Sequence, residues 1–361
     1  FLLATLAQAR LGRGLCAPNP AVGAVAVQNG EIIAKAYHHG AGTLHAEPLV
    51  LNQIPVNTPG VSLYVSLEPC NHWGRTPPCV DAIIRHGIKE VFFAYADPNP
   101  VVSQKNSTEL LKAAGIKVTH YPLKEIDDFY KSYRYWTLVK KPWVTVKMAQ
   151  TLNGKIGRST GQPVRLSNAL CEQFTHMQRA TTDVILTTAK TVHCDNPQLN
   201  VRLTAGVQAK PVAIIDPRLS LDEAATLFTT AKHCHIFHCL DSQEQKKVYP
   251  NSTLYSMPKD CHGTMDLDAV LRQLGALGYH DVWVEAGGTL FTSLHLEGLV
   301  HKTYLYLVPR FLESGAISAY QGKEVFDRPH TLSWQAMDDN MIACIDWLEP
   351  ANNSGLSGVK S

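Results

Sequence analysis

Four residues carry the chemistry this sequence offers first: His45 and Glu47 in His45-Ala46-Glu47, then Cys70 and Cys79 bracketing Asn71-His72-Trp73-Gly74-Arg75-Thr76-Pro77-Pro78. One imidazole and two thiolates can hold a zinc ion and leave its fourth position for water. A glutamate two residues past the histidine, itself not a ligand, can then move that water's protons. These are the parts of hydrolytic deamination, in which an activated water attacks an amino-bearing ring carbon. A lone His-x-Glu means little, and two cysteines nine apart could be core thiols. The combination, with Pro69 before the first cysteine, is far more specific. A structural zinc site closes with four protein ligands, and His72 is the residue that could supply a fourth.

The surrounding pattern supplies elements to position these groups. Residues 22–27 and 32–36 read as strands joined by a turn built on Asn29-Gly30. Residues 45–53 read as a helix with Pro48 in its first turn, 61–67 as a strand, and 79–86 as a helix ending at Gly87. A strand at 91–96 and a helix at 107–114 follow. Strands alternating with helices imply a sheet covered by helices. His45 and Glu47 then open one helix, while Cys70 follows a strand and Cys79 opens the next helix. Helix N-termini favour anionic groups such as thiolates.

Composition narrows the class. The 361 residues suggest two domains, 1–140 and 141–350, with 351–361 a disordered tail rich in Ser, Gly and Asn. A net charge of +2 gives no broad basic field for nucleic acid. No apolar run approaches the ~20 residues of a membrane span. The apolar start at Phe1 lacks a basic region and a cleavage site, so it reads as an amphipathic helix rather than a signal peptide. Nine irregularly spaced cysteines favour a reducing cytoplasm. His38-His39 reads as a surface pair, with His38 lining the metal pocket as the alternative. The run His233-Cys234-His235-Ile236-Phe237-His238-Cys239 alternates like a strand and reads as structural rather than as a second metal site.

Beyond residue 142 the sequence predicts strands at 143–149, 183–187, 211–216, 233–238 and 282–285, interleaved with helices. No Gly-x-Gly-x-x-Gly follows any of them, so the usual dinucleotide fingerprint is absent. Glu285-Ala286-Gly287-Gly288-Thr289-Leu290 instead ends a strand and opens a helix, where backbone N–H groups can cradle a phosphate.

The segments Ala17-Pro18-Asn19-Pro20-Ala21-Val22-Gly23, His45-Ala46-Glu47 and the Cys70–Cys79 loop with its internal HWGRTPPC resemble the riboflavin-biosynthesis deaminase–reductase (RibD) family. The resemblance implies an N-terminal cytidine-deaminase-like three-layer α/β/α domain and a C-terminal dihydrofolate-reductase-like α/β domain. It implies His45, Cys70 and Cys79 as zinc ligands, Glu47 as proton shuttle, and Asn19, His72 and Arg75 as substrate contacts. In the second half it implies Arg179, Leu199, Arg202 and Glu285 against substrate. Ala149, Thr191, Asp195 and the stretch Gly287, Gly288, Thr289, Leu290 to Ser293 would contact NADPH. The implied substrate is a small phosphorylated pyrimidine riboside, with no nucleic acid or membrane partner, in a homodimer or larger assembly.

The chain departs from the family pattern at several places. Ser103-Gln104-Lys105-Asn106 replaces a glycine-bearing stretch. Asn153 stands for an aspartate, Pro163 for a serine and Arg165-Leu166-Ser167 for a tryptophan-containing segment. Thr187-Thr188 replaces small residues, and His301-Lys302 an acidic pair. A working bifunctional enzyme is the leading reading. The alternatives are a deaminase with an impaired reductase half, a tRNA-type deaminase, and a purely structural zinc protein.

Overall fold

The computed structural model describes residues 1–73, 77–100, 106–160, 164–239, 247–320 and 328–348. The chain divides into two compact units, residues 1–142 with 274–280, and residues 143–273 with 281–361.

The first unit is built on strands β1 (Gly23–Gln28), β2 (Glu31–Tyr37), β3 (Val61–Leu67), β4 (Glu90–Tyr95) and β5 (Lys117–His120), in the order β2-β1-β3-β4-β5. β1 runs antiparallel to β2 and β3, and β3, β4 and β5 are parallel. The expected Asn29-Gly30 hairpin forms, with φ of +52° and +81° at those residues. Helices α1 (Leu2–Gly12), α2 (Ala46–Leu51) and α3 (Cys79–His86) take the predicted places, α2 ending earlier than expected. Leu2, Leu6, Val50, Leu51, Val80 and Ile83 meet Leu63, Val65 and Val91 of the sheet in one core. The sequence reading passed over β5, whose four residues Lys-Val-Thr-His carry too little alternation to register.

Tyr130, on the helix Lys124–Val139, ties this core to β1. Its hydroxyl donates to Ala21 O at 2.9 Å and accepts from Ser66 at 2.7 Å, and Ser66 Oγ accepts the Gly23 N–H at 3.0 Å. The two links through Ser66 are buried, where an unmade hydrogen bond costs about 1–3 kcal/mol, and the link to Ala21 is part-buried.

The second unit holds β6 (Trp143–Thr151), β7 (Lys155–Gly157), β8 (Val184–Thr188), β9 (Val201–Leu203), β10 (Gly206–Gln208), β11 (Pro211–Ile215), β12 (His233–His238), β13 (Ser252–Ser256), β14 (Asp281–Glu285), β15 (Lys302–Val308), β16 (Ile317–Ser318), β17 (His330–Met337) and β18 (Asn340–Trp347). Nine of them form one sheet in the order β13-β12-β11-β8-β14-β6-β15-β18-β17. Every neighbouring pair from β13 to β15 is parallel; β18 and β17 close the sheet antiparallel. The five strands predicted here are all present. β13, β15 and the β17–β18 hairpin were not read from the sequence. No helix among the described residues is long and apolar enough to cross a membrane.

Gly23 is where α1 meets β1. A Cβ there would stand 2.1 Å from Thr5 O and 2.5 Å from Ala9 N, both backbone atoms of α1. Gly23→Ala must therefore push α1 off the sheet, at about 1–3 kcal/mol by the usual cost of overpacking. Thermal unfolding of the full chain should show a lower midpoint; an unchanged midpoint would mean that α1 is not seated this way.

Candidate active sites

His45 is the N-cap of α2 and Glu47 lies in its first turn. Cys79 is the first residue of α3, and Cys70 follows β3 by three residues. Two helix starts thus converge at the carboxyl end of a parallel strand, the place where α/β sheets hold their ligands. His45 Nδ1 lies 3.2 Å from Cys79 Sγ and 3.5 Å from Cys70 Sγ, and the sulfurs are 3.4 Å apart. Tetrahedral zinc with bonds of about 2.0–2.3 Å requires ligand separations of roughly 3.3–3.8 Å. The three atoms fit that ion. Among the described residues this is the only cluster of its kind, and His72 is outside it. Three protein ligands leave a position for water, which speaks against the closed structural site.

Glu47 is buried to 3% exposure. Burial, with the neighbouring Cys70 sulfur, pushes its carboxyl up to about 7. The Cys79 thiol hydrogen bond and His45 draw Cys70 down to about 4, while burial drives Cys79 upward. The pair readily carries one negative charge and accepts a second only beside a cation.

Asn19 and His72 lie among the described residues; Arg75 lies outside them, as do Pro163, residues 103–105 and the expected tail. Asn19 Nδ2 is 3.1 Å from His38 Nε2, and His38 Nδ1 is 3.0 Å from Leu44 O. His38 is buried, not a surface residue, and burial lowers its pKa. Only His39 is exposed. The alternation of β2, with Ala34 and Ala36 inward, continues one step past the strand and turns His38 the same way. His72 Nδ1 is buried with no hydrogen-bond partner among the described residues, so its requirement is left for a ligand.

In the second unit Arg179 grips Glu285 through two bonds, Nε to Oε1 at 2.6 Å and Nη2 to Oε2 at 2.9 Å. The side chains are 10% and 14% exposed. Trp283 Nε1 donates to Glu285 Oε1 at 2.8 Å, and Arg179 Nη1 donates to Asn200 O at 2.9 Å. Arg202 joins through Asn200, donating to its Oδ1 at 2.6 Å. Leu199, next in the chain, is buried at φ +46°. Burial alone would raise Glu285; the charge and hydrogen bonds of Arg179, with Lys147 nearby, bring it down to about 2. Asn200, Trp283 and Lys147 were not singled out from the sequence. The register could have signalled Lys147, which lies directly opposite Glu285 on the neighbouring strand.

Gly287 caps the nine-residue helix Gly288–Leu296 directly after β14. A Cβ at Gly287 would meet nothing within 4 Å, whereas one at Gly288 would stand 2.4 Å from Ala319 O. The first glycine opens a backbone cradle at a helix N-terminus and the second lets the chains approach; both fit a dinucleotide phosphate. Thr191 lies in the first turn of the helix Ala189–Asp195, Asp195 is exposed at its end, and Ala149 is partly buried on β6.

The departures have local partners. Asn153 accepts from Thr151 at 2.6 Å and donates to Leu312 O at 2.8 Å, a donation an aspartate could not make. Thr188 caps the helix Ala189–Asp195 and Thr187 donates to Glu285 O at 2.8 Å. Arg165 pairs with Glu172, His301 accepts the Val144 N–H at 3.0 Å, and Lys302 pairs with Asp346. β12 carries its histidines as read: His233 contacts Thr253 and His235 contacts Tyr255, with no metal cluster among the described residues.

Together these features define a zinc deaminase domain of the nucleobase and nucleotide type joined to a nucleotide-dependent reductase domain. Residues 2–95 match the cytidine and deoxycytidylate deaminase zinc-binding region, and residues 142–341 match the RibD C-terminal domain. The riboflavin biosynthesis protein RibD of Aquifex aeolicus is 33% identical over 87% of this chain and 88% of its own length. Acinetobacter baumannii RibD superposes with a TM-score of 0.85 at 26% identity, covering 96% of this chain and 98% of that one. A diaminohydroxyphosphoribosylaminopyrimidine deaminase/5-amino-6-(5-phosphoribosylamino)uracil reductase from Thermotoga maritima gives 0.82 at 27%, with the same coverage. The chain belongs to the RibD family of riboflavin-biosynthesis proteins.

A carboxylate held below its unfolded value near 4.5 stabilises the fold fully above that pH, and the contribution is lost as pH falls towards 2. Glu285→Gln leaves Arg179 buried without its charge partner, at about 3–5 kcal/mol. Urea unfolding should show the gap between wild type and variant constant above pH 4.5 and narrowing below it. A gap that is the same at every pH would contradict the ion pair.

Proposed function

We propose that this chain performs two successive reactions on one phosphorylated pyrimidine riboside. The first removes a ring amine from 2,5-diamino-6-(5-phosphoribosylamino)pyrimidin-4-one; the second reduces the ribosyl group to ribityl. The observation that carries the reading is the three-ligand cluster with a buried, non-ligating Glu47 beside it.

His45, Cys70 and Cys79 would hold zinc, whose chemistry is to acidify a bound water so that it attacks at neutral pH. Glu47 takes a proton from the attacking water and returns one to the departing amine, a transfer that requires a fixed carboxylate out of bulk solvent. Its place in the first turn of α2 fixes it relative to His45. Asn19, oriented by His38, and His72 with its unpaired Nδ1 provide polar contacts for the ring edge. Arg75 would take the ribose phosphate, for which a guanidinium offers two parallel hydrogen bonds.

In the second unit NADPH would supply the hydride. Gly287 and Gly288 with the following turn bind its phosphates, and Thr191, Asp195 and Ala149 line the remainder. Arg202 meets the substrate phosphate, and the Arg179–Glu285 pair presents a fixed carboxylate edge to sugar hydroxyls. The protein's task is alignment and exclusion of water. We place the site boundaries of the two activities at 1–140 and 141–350, in a homodimer or larger assembly.

Mass analysis of the substrate after incubation with and without NADPH tests this reading. Without NADPH the ring amine should be lost; with it, two hydrogens should be gained as well. Amine loss without reduction would leave the second unit a scaffold, and no reaction with zinc bound would refute the assignment. Glu47→Gln should cut deamination by about 10²–10⁴ or more while zinc remains bound. Retained turnover would remove Glu47 from its role.

A further inference from the structure

Residues 274–280 fall in the second half of the sequence, yet they belong to the first unit. Close backbone approach seats them there. A Cβ on Gly275 would stand 2.1 Å from Lys140 O, and one on Gly278, at φ +90°, would stand 2.6 Å from Pro18 Cβ. Trp136, on the helix Lys124–Val139, donates from Nε1 to Gly275 O at 2.8 Å. His280 then lies buried, its ring 4.3 Å from that of Trp136 and 5.3 Å from that of Tyr133. Its Nε2 is 3.0 Å from Pro18 O. A carbonyl oxygen only accepts, so Nε2 carries the hydrogen and is the donor.

Pro18 O belongs to the peptide unit that begins Asn19. That unit is planar, so holding its oxygen and its N–H fixes where Asn19 starts. The N–H end donates to Cys16 O at 2.9 Å. Two residues on, Ala21 O accepts from Tyr130. Cys16 Sγ donates to His38 O at 3.0 Å, and the Asn19 amide meets His38 Nε2. Of these holds on the loop, only the bond to Pro18 O comes from beyond residue 142.

We propose that His280 is a positioning residue of the deaminase. It fixes the Pro18–Asn19 peptide, and with it the Asn19 side chain that meets the pyrimidine ring edge. The assignment rests on the reading of Asn19 as a ring contact. The deaminase site then draws on a residue far outside 1–140. Because the effect passes through Asn19, it falls on binding of the ring. The metal ligands and Glu47 sit on α2, α3 and the end of β3, which His280 does not hold. A histidine that merely filled space between Trp136 and Tyr133 would yield to another ring without loss of function.

The test is steady-state deamination of 2,5-diamino-6-(5-phosphoribosylamino)pyrimidin-4-one by the full zinc-loaded chain without NADPH, together with amide exchange at Asn19 and over 21–23. His280→Phe keeps a ring beside Trp136 and Tyr133 and removes the donor. It should raise KM about tenfold, leave kcat within about twofold, and speed exchange at these amides. His280→Gln returns an N–H at about the reach of Nε2, and should bring KM and exchange to within about twofold of the wild type. In an Asn19→Ala background, His280→Phe should raise KM no further, because the contact it positions is gone. Zinc content and the thermal midpoint report folding. If the Phe variant fails to fold, His280→Ala takes its place with the same expected rise. Exchange that neither variant changes would overturn the proposal, as would a KM rise that persists without Asn19. A loop that loosens while KM stays put would overturn the proposal alone and leave the deaminase reading standing. A wild type that binds zinc and does not deaminate would overturn that reading, and the proposal with it.

Discussion

The first site depends on two helix starts being brought to the end of one strand. β3 delivers Cys70, α3 begins on Cys79, and α2 begins just after His45, so three ligand atoms meet within 4.8 Å of one another. Fully ionised, the two buried sulfurs and the buried carboxylate would repel one another, so all three charges can be held together only beside a cation. What holds them is apolar packing behind them. Val50 and Leu51 on α2, and Val80 and Ile83 on α3, are anchored in the same core as the sheet. The core therefore sets the geometry, and the polar groups accept it.

The second unit solves a related problem differently. A buried arginine and glutamate neutralise each other, with Trp283 and the Asn200 carbonyl taking remaining hydrogen-bond capacity. Such a pair contributes little net stability, but it fixes where both side chains point. β14, which delivers Glu285, goes on directly to the glycine cradle at Gly287. One strand end thus positions both the carboxylate and the glycine pair at the helix start.

Much of the deaminase site was legible because its chemistry is local. His45 and Glu47 share a turn, and Cys70 and Cys79 bracket one loop, so residue type and spacing suffice. His38 was misjudged because burial of a histidine beyond a strand end depends on what packs over it. The same limit hid Asn200 and Trp283, whose roles exist only once Arg179 reaches them from another element. In the second half, Asn153 and Thr188 could be read by type alone only as departures from the family pattern. Their partners, Leu312 O and the helix start at Ala189, explain them as local fits. β17 was passed over because a strand exposed on both sides lacks the buried face that makes alternation informative.

The central claim is that three protein ligands, and no fourth, hold the metal. X-ray absorption at the zinc edge of the full chain tests it most directly. One zinc per chain with two sulfurs at about 2.3 Å and two nitrogen or oxygen neighbours at about 2.0 Å is the predicted result, one of them exchangeable solvent. A second imidazole in the shell, or a third sulfur, would contradict it and return the site to a structural role.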